Sequence, residues 1–202
     1  MRASSRCGAA LGAAVVLGLA LGGCGHRKPA AANRGGAPAP PSTVTAAAEY
    51  PTITAIHAMG TRRYNSAEVA RASGLRPGQR YTPATVRAAE ERLAATGAFT
   101  EINSLLVPSD NGRIVDFELT DNPHFFPVRF VGFEGWSAAR LRAAVHPAVP
   151  LFTGQLPLLR QGLARQVRGA LQRLAAAQHW PGQVRMELSQ MGGGEVVVFR
   201  LQ

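Results

Sequence analysis

Residues 82–99 read TPATVRAAEERLAATGAF. Thr82 ahead of Pro83 marks a helix start, because a hydroxyl caps the free amides of a first turn and proline fits that turn without losing a needed N–H. Val86, Ala89 and Leu93 recur at helical spacing, so one stripe packs and the remainder faces water. Gly97 stops the helix, and Phe99 packs beneath it on entry to an extended segment.

Upstream, Ile53–Ala58 has apolar residues at alternating positions and leaves through a turn at Gly60, which reads as a strand. Asn65-Ser66-Ala67-Glu68 offers an N-cap with an acid three residues on, and Val69, Ala72 and the closing Gly74-Leu75 make a short helix. Pro77-Gly78 turns the chain into the helix already described. Downstream, Ala98–Val107 and Arg113–Thr120 are extended and alternating. Ser109-Asp110-Asn111-Gly112 between them carries the Asn-Gly hairpin signal. The unit is β-α-α-β-β.

The same order then repeats. Val128–Phe133 is a strand with Gly132 near its end, Ser137 caps Ala138–Val145, and Thr153 precedes a long helix. In that helix Leu156, Leu159, Leu163, Val167, Leu171 and Leu174 form the apolar stripe. Arg160, Arg165, Arg168 and Arg173 lie mostly away from it. Trp180-Pro181-Gly182 ends the helix, and Val184–Leu188 and Glu195–Leu201 flank Met191-Gly192-Gly193-Gly194. Gly60 aligns with Gly132 and Leu93 with Leu174, so the sequence predicts a duplication.

Ile53-Thr54-Ala55-Ile56 with Gly60, Ser66-Ala67-Glu68-Val69, Gly74-Leu75-Arg76-Pro77-Gly78, Leu93 to Phe99 and Phe117-Glu118-Leu119 together resemble a POTRA (polypeptide-transport-associated) domain. The second copy is similar in order, with Trp180-Pro181-Gly182 in place of the Gly-x-Phe step. The resemblance implies an α+β fold of two tandem units over residues 52–122 and 123–202. Each would be a three-stranded mixed sheet with two helices on one face. It also implies a binding or scaffold protein that engages an outer-membrane β-barrel or a translocating polypeptide by strand addition, in outer-membrane protein assembly or transport. The expected partner-binding edge strand carries Glu101, Asn103, Leu105 and Val107 outward, with Phe99, Ile102, Ser104 and Leu106 facing or bordering the core.

The N-terminus reads as an export leader over residues 1–23, with Arg2 and Arg6 ahead of the uncharged run Gly8–Gly23. Leu21-Gly22-Gly23-Cys24 resembles a lipoprotein lipobox, which implies lipid on the Cys24 thiol. Gly25 rather than Asp after it points to the outer membrane, with the domains in the periplasm. Residues 24–51 are dominated by Pro, Ala and Gly and are expected to be a disordered tether; a flexible chain of that length spans roughly 25–30 Å. A second reading keeps the leader uncleaved as a signal anchor, making the chain a subunit of a cell-division or other envelope complex.

The chain has 202 residues, 46% of them hydrophobic, and a formal charge of +10. The leader removes two of those charges. The remainder is almost all arginine scattered along helical stretches, which favours anionic headgroups or acidic partners; nucleic acid is possible on charge alone but is not expected as a partner. His57, His124, His146 and His179 have no ligand-type partner at metal spacing. Asp116, Glu118 and Asp121 alternate along one strand as a solvated face. No nucleophile, phosphate-loop or zinc motif occurs, so no catalytic residues, metal, cofactor or small-molecule substrate are expected.

Overall fold

A computed structural model of the chain describes residues 50–157 and 160–202; the leader, Cys24 and nearly all of the expected tether lie outside the described residues. The first unit runs β1 (Ile53–Met59), α1 (Ser66–Ser73), α2 (Pro83–Thr96), β2 (Phe99–Ser109) and β3 (Gly112–Asp121). β3 is central, parallel to β1 and antiparallel to β2.

The helix starts form as their sequences require. Asn65 Oδ1 accepts the Glu68 N–H at 2.9 Å, and Glu68 Oε2 accepts the Asn65 N–H at 3.0 Å. Thr82 and Thr85 make the same reciprocal pair ahead of α2, at 3.1 and 3.0 Å. Each exchange satisfies two amides that a helix start otherwise leaves free. Val69 of α1 and Val86, Ala89 and Leu93 of α2 are buried against Ile53, Ile56, Val115, Phe117 and Leu119 of the sheet.

The second unit runs β4 (Phe126–Val131), α3 (Ala138–Val145), β5 (Gln155–Leu156), α4 (Gly162–Ala177), β6 (Val184–Met191) and β7 (Gly194–Leu201). Its sheet is ordered β5-β4-β7-β6, with β4 parallel and β6 antiparallel to β7. Removing β5 leaves the topology of the first sheet. The two units also share one matched contact. Gly60 and Gly132 have φ of 80° and 82°, and a Cβ on either would stand 2.5 Å from a carbonyl oxygen, that of Leu119 or of Leu201 respectively. In both units the chain leaves its first strand by crossing directly over the end of its last one, which only a residue without a side chain permits.

Two expectations are corrected. The long helix begins at Gly162 rather than near Leu156. Leu156 instead pairs with Phe126 in β5, giving the second sheet its fourth strand, because the residue ahead of Pro157 is driven toward extended backbone. Leu159 lies outside the described residues. Leu174, expected to match Leu93, stands like it four residues before the C-cap of its helix, but it is only partly buried, and Leu163, Val167 and Leu171 make the buried stripe of α4. The hairpin between β2 and β3 turns on Asp110-Asn111, with Gly112 already in β3.

One continuous apolar core runs through both units. Asn122, between β3 and β4, is buried and donates from Nδ2 to the Gly97 carbonyl at 2.9 Å. Arg63 lies 4.2 Å over the Phe125 ring and donates to Gln155 Oε1 at 2.9 Å. His146 Nε2 stands 3.6 Å from Glu68 Oε1. No helix among the described residues is long and apolar enough to cross a membrane.

Candidate functional site

Because β3 and β7 are each paired on both sides, backbone hydrogen-bonding capacity is left at the flanks of the two sheets. The outer edge of β1 is obstructed at both ends. Ile53 exchanges backbone hydrogen bonds with Gln79 and Gly78, each at 2.8 Å, and the Ala58 N–H is taken by Ser66 Oγ at 3.0 Å. The outer edge of β4 is occupied by β5 at Phe126 and Pro127, and the Val128 N–H donates to the Gly154 carbonyl at 3.0 Å.

β2 is different. Ser109 and Gly112 close a two-residue turn, so they form a hydrogen-bonded pair, and alternation along the ladder turns the backbone groups of Val107, Leu105, Asn103 and Glu101 toward β3. The outward amides therefore belong to Ile102, Ser104 and Leu106. The next position in that series is Pro108, which has no N–H to leave unpaired. Among the described residues, no backbone group hydrogen-bonds to the outer edge from Ile102 to Leu106. Leu105, Leu106 and Val107 are 48%, 37% and 39% exposed, a run of three adjacent apolar residues on an edge.

The four residues singled out in the sequence thus lie on β2, but their side chains project onto the open face of the sheet and their amides face inward. Leu106, expected at the core border, is exposed, and the Ser104 hydroxyl donates to Glu90 Oε1 on α2 at 2.6 Å. The outward amides were missed, although Pro108 carried the signal: a proline inside a strand belongs where its nitrogen faces away from the ladder, and that sets the parity of every other residue in β2.

β6 follows the same rule from Met191 and Gly194, and its other end checks it. Gln183 and Gln202 exchange both backbone hydrogen bonds, at 2.6 and 3.1 Å, so Val184 must point its N–H outward; Gln172 Oε1 accepts it at 2.7 Å. Met186, Leu188 and Gln190 continue the outward series.

The open face of the first sheet carries Ala55, His57 and Met59 from β1, Ile114, Asp116, Glu118 and Thr120 from β3, and the four β2 residues. His57 Nδ1 is 3.0 Å from Asp116 Oδ1. A shallow hollow of about 350 Å³ lies between Met59, Gly60, Glu101, Asn103, Glu118 and Thr120. Asp121 has a structural role: its carboxylate accepts from Thr61 Oγ1 at 2.7 Å and from the Arg62 N–H at 2.9 Å. Among the described residues no three His, Cys, Asp or Glu side chains gather as a metal site. Tyr64, buried edge-on against Phe99, has its hydroxyl pKa pushed up by desolvation.

Residues 51–121 match the POTRA family, described as a surface antigen variable number repeat. Among solved structures, the N-terminal domain of Omp85 from the thermophilic cyanobacterium Thermosynechococcus elongatus is 18% identical. That match covers 74% of this chain and 61% of the other at a TM-score of 0.36, so the chain spans less than two thirds of that domain. POTRA1-2 of the periplasmic domain of Omp85 from Anabaena is 14% identical, covering 75% and 93% at 0.35. POTRA3-5 of Haemophilus influenzae BamA is 16% identical, covering 76% and 61% at 0.29. None of the curated proteins compared with the sequence matches it.

Proposed function

We propose that this chain, with a POTRA domain over residues 51–121, is a periplasm-facing scaffold that binds extended polypeptides along the outer edge of β2. The supporting observation is the unpaired edge itself: Ile102, Ser104 and Leu106 offer amides and carbonyls to a guest strand, while the opposite edge at β1 is obstructed. Leu105, Leu106 and Val107 add apolar contact beside that ladder. In this reading residues 123–202 form a second, tandem POTRA-like domain, residues 24–51 tether the pair, and a lipid on Cys24 holds them at the outer membrane after loss of residues 1–23. The guest is an outer-membrane β-barrel polypeptide or a translocating chain, and the protein serves its assembly or transport rather than catalysing a reaction.

The test is capture of an unfolded outer-membrane β-barrel polypeptide by the full chain. Leu106→Pro removes an outward donor without touching the β3 ladder and should abolish capture. Asn103→Ala, whose amide faces inward, should retain it. Equal capture by both variants, with circular dichroism unchanged, sinks strand addition at β2.

A further inference from the structure

The helices of the two units differ in charge. α1 and α2 are mixed, with Glu68, Glu90 and Glu91 set against Arg71, Arg87 and Arg92. α3 and α4 carry Arg140, Arg142, Arg165, Arg168 and Arg173, and no Asp or Glu occurs anywhere between Glu134 and Glu187. All of these α3 and α4 arginines are exposed, and among the described residues none pairs with a carboxylate. At 3.6 residues per turn, Arg165, Arg168 and Arg173 fall within one arc of about 140° on α4, opposite the buried stripe of Leu163, Val167 and Leu171. Exposed arginines alone describe any solvated face. Here the chain's two tryptophans stand at the end of the same helices. Trp136 immediately precedes the Ser137 cap of α3, Trp180 follows α4, and their rings meet edge-on at 5.5 Å. Both are partly exposed, and the Arg140 guanidinium lies 3.9 Å over the Trp136 ring.

We propose that the outer helical face of the second unit lies on an anionic lipid surface, with the arginines of α3 and α4 among the headgroup phosphates and the Trp136–Trp180 corner at headgroup depth. Each arginine held near such a surface adds attraction, and tryptophan suits that depth because its ring is apolar while its N–H still finds an acceptor. α4 is about 24 Å long, so its arginines reach several headgroups at once. A lipid surface fits this face better than an acidic protein does. None of the exposed large apolar side chains among the described residues lies on α3 or α4, so the face lacks the buried anchor on which protein interfaces centre. The contact uses side chains of the second unit, whereas the strand addition proposed above uses the backbone of β2, and the two stand or fall separately.

The test mixes the full chain with vesicles of phosphatidylcholine, alone or with about 30% phosphatidylglycerol, whose brominated acyl chains quench nearby tryptophan. Trp136 and Trp180 are the chain's only tryptophans, so quenching reads this corner directly, and a leader or a lipid on Cys24 can enter either vesicle without producing it. Quenching is expected with the anionic vesicles and not with phosphatidylcholine alone, and it should weaken at about 500 mM salt, where charge attraction is screened. Arg165→Gln with Arg168→Gln and Arg173→Gln should raise the lipid concentration for half-quenching about tenfold or more. Arg76→Gln with Arg80→Gln and Arg87→Gln, which removes the same charge from exposed positions of the first unit, should leave it unchanged. Absence of quenching with the anionic vesicles overturns the proposal, whatever acidic protein the face captures. So does equal quenching by both kinds of vesicle, or an equal loss in the two triple variants with the fold intact by circular dichroism.

Discussion

Gly162, the first residue of α4, sits so close to the carbonyl oxygen of Ala95 near the end of α2 that no side chain fits between them. The start of one helix is thereby set on the end of another, where partial charges of opposite sign meet. Gly162→Ala should force the two helices apart. The expected loss is about 3 kcal/mol, read as a lower urea midpoint, while the same change at Gly169, which meets only the far end of Arg173, should be tolerated.

Leu93→Ala should cost roughly 2–5 kcal/mol by leaving a cavity between α2 and its sheet, and Leu171→Ala a similar amount in the second unit. Leu174→Ala should cost less, because its side chain is only partly buried. Denaturation of the three variants checks which residues of α4 form its core stripe, and a larger loss at Leu174 than at Leu171 would refute it.

Tyr64 makes stability depend on alkaline pH. Its ordinary pKa is 10.0 and burial raises it, so above pH 10 the unfolded chain releases this proton while the folded chain keeps it. Stability contributed by the neutral phenol is complete below pH 10 and falls above it, by up to about 1.4 kcal/mol per pH unit. Tyr64→Phe should flatten that part of the pH–stability curve. An identical slope in the variant contradicts the assignment.

Cys24→Ser should release the protein from membranes if Cys24 is acylated, since two or more acyl chains hold a protein far more firmly than one. Metabolic labelling with a palmitate analogue reads the modification directly. An unlabelled wild type that keeps its leader would favour the signal-anchor reading instead.

Short-range chemistry was the legible part of this fold. The caps at Asn65 and Thr82 and the stop at Gly97 depend on residues within four positions of one another, and the structure has them as read. The start of α4 was less legible because the spacing of Leu156 fits a helical stripe, although Pro157 after it already favoured the extended backbone that pairs with Phe126. Parity on β2 could have been taken from Pro108. The contact of Gly162 with Ala95 could not, since only the folded chain brings those two helix ends together.

The short strand β5 and the segment from Gly78 to Tyr81 limit the valence of the molecule. With β5 on the flank of β4 and that segment at the start of β1, each sheet keeps, among the described residues, one flank open along most of its length, β2 in one and β6 in the other. A sheet with two accepting flanks can be extended from either side, which is how fibrils grow. If guest strands add as proposed, pairing on β2 or β6 saturates at one strand apiece, so stoichiometry stops at two per chain and the β1 and β4 flanks do not seed polymerisation.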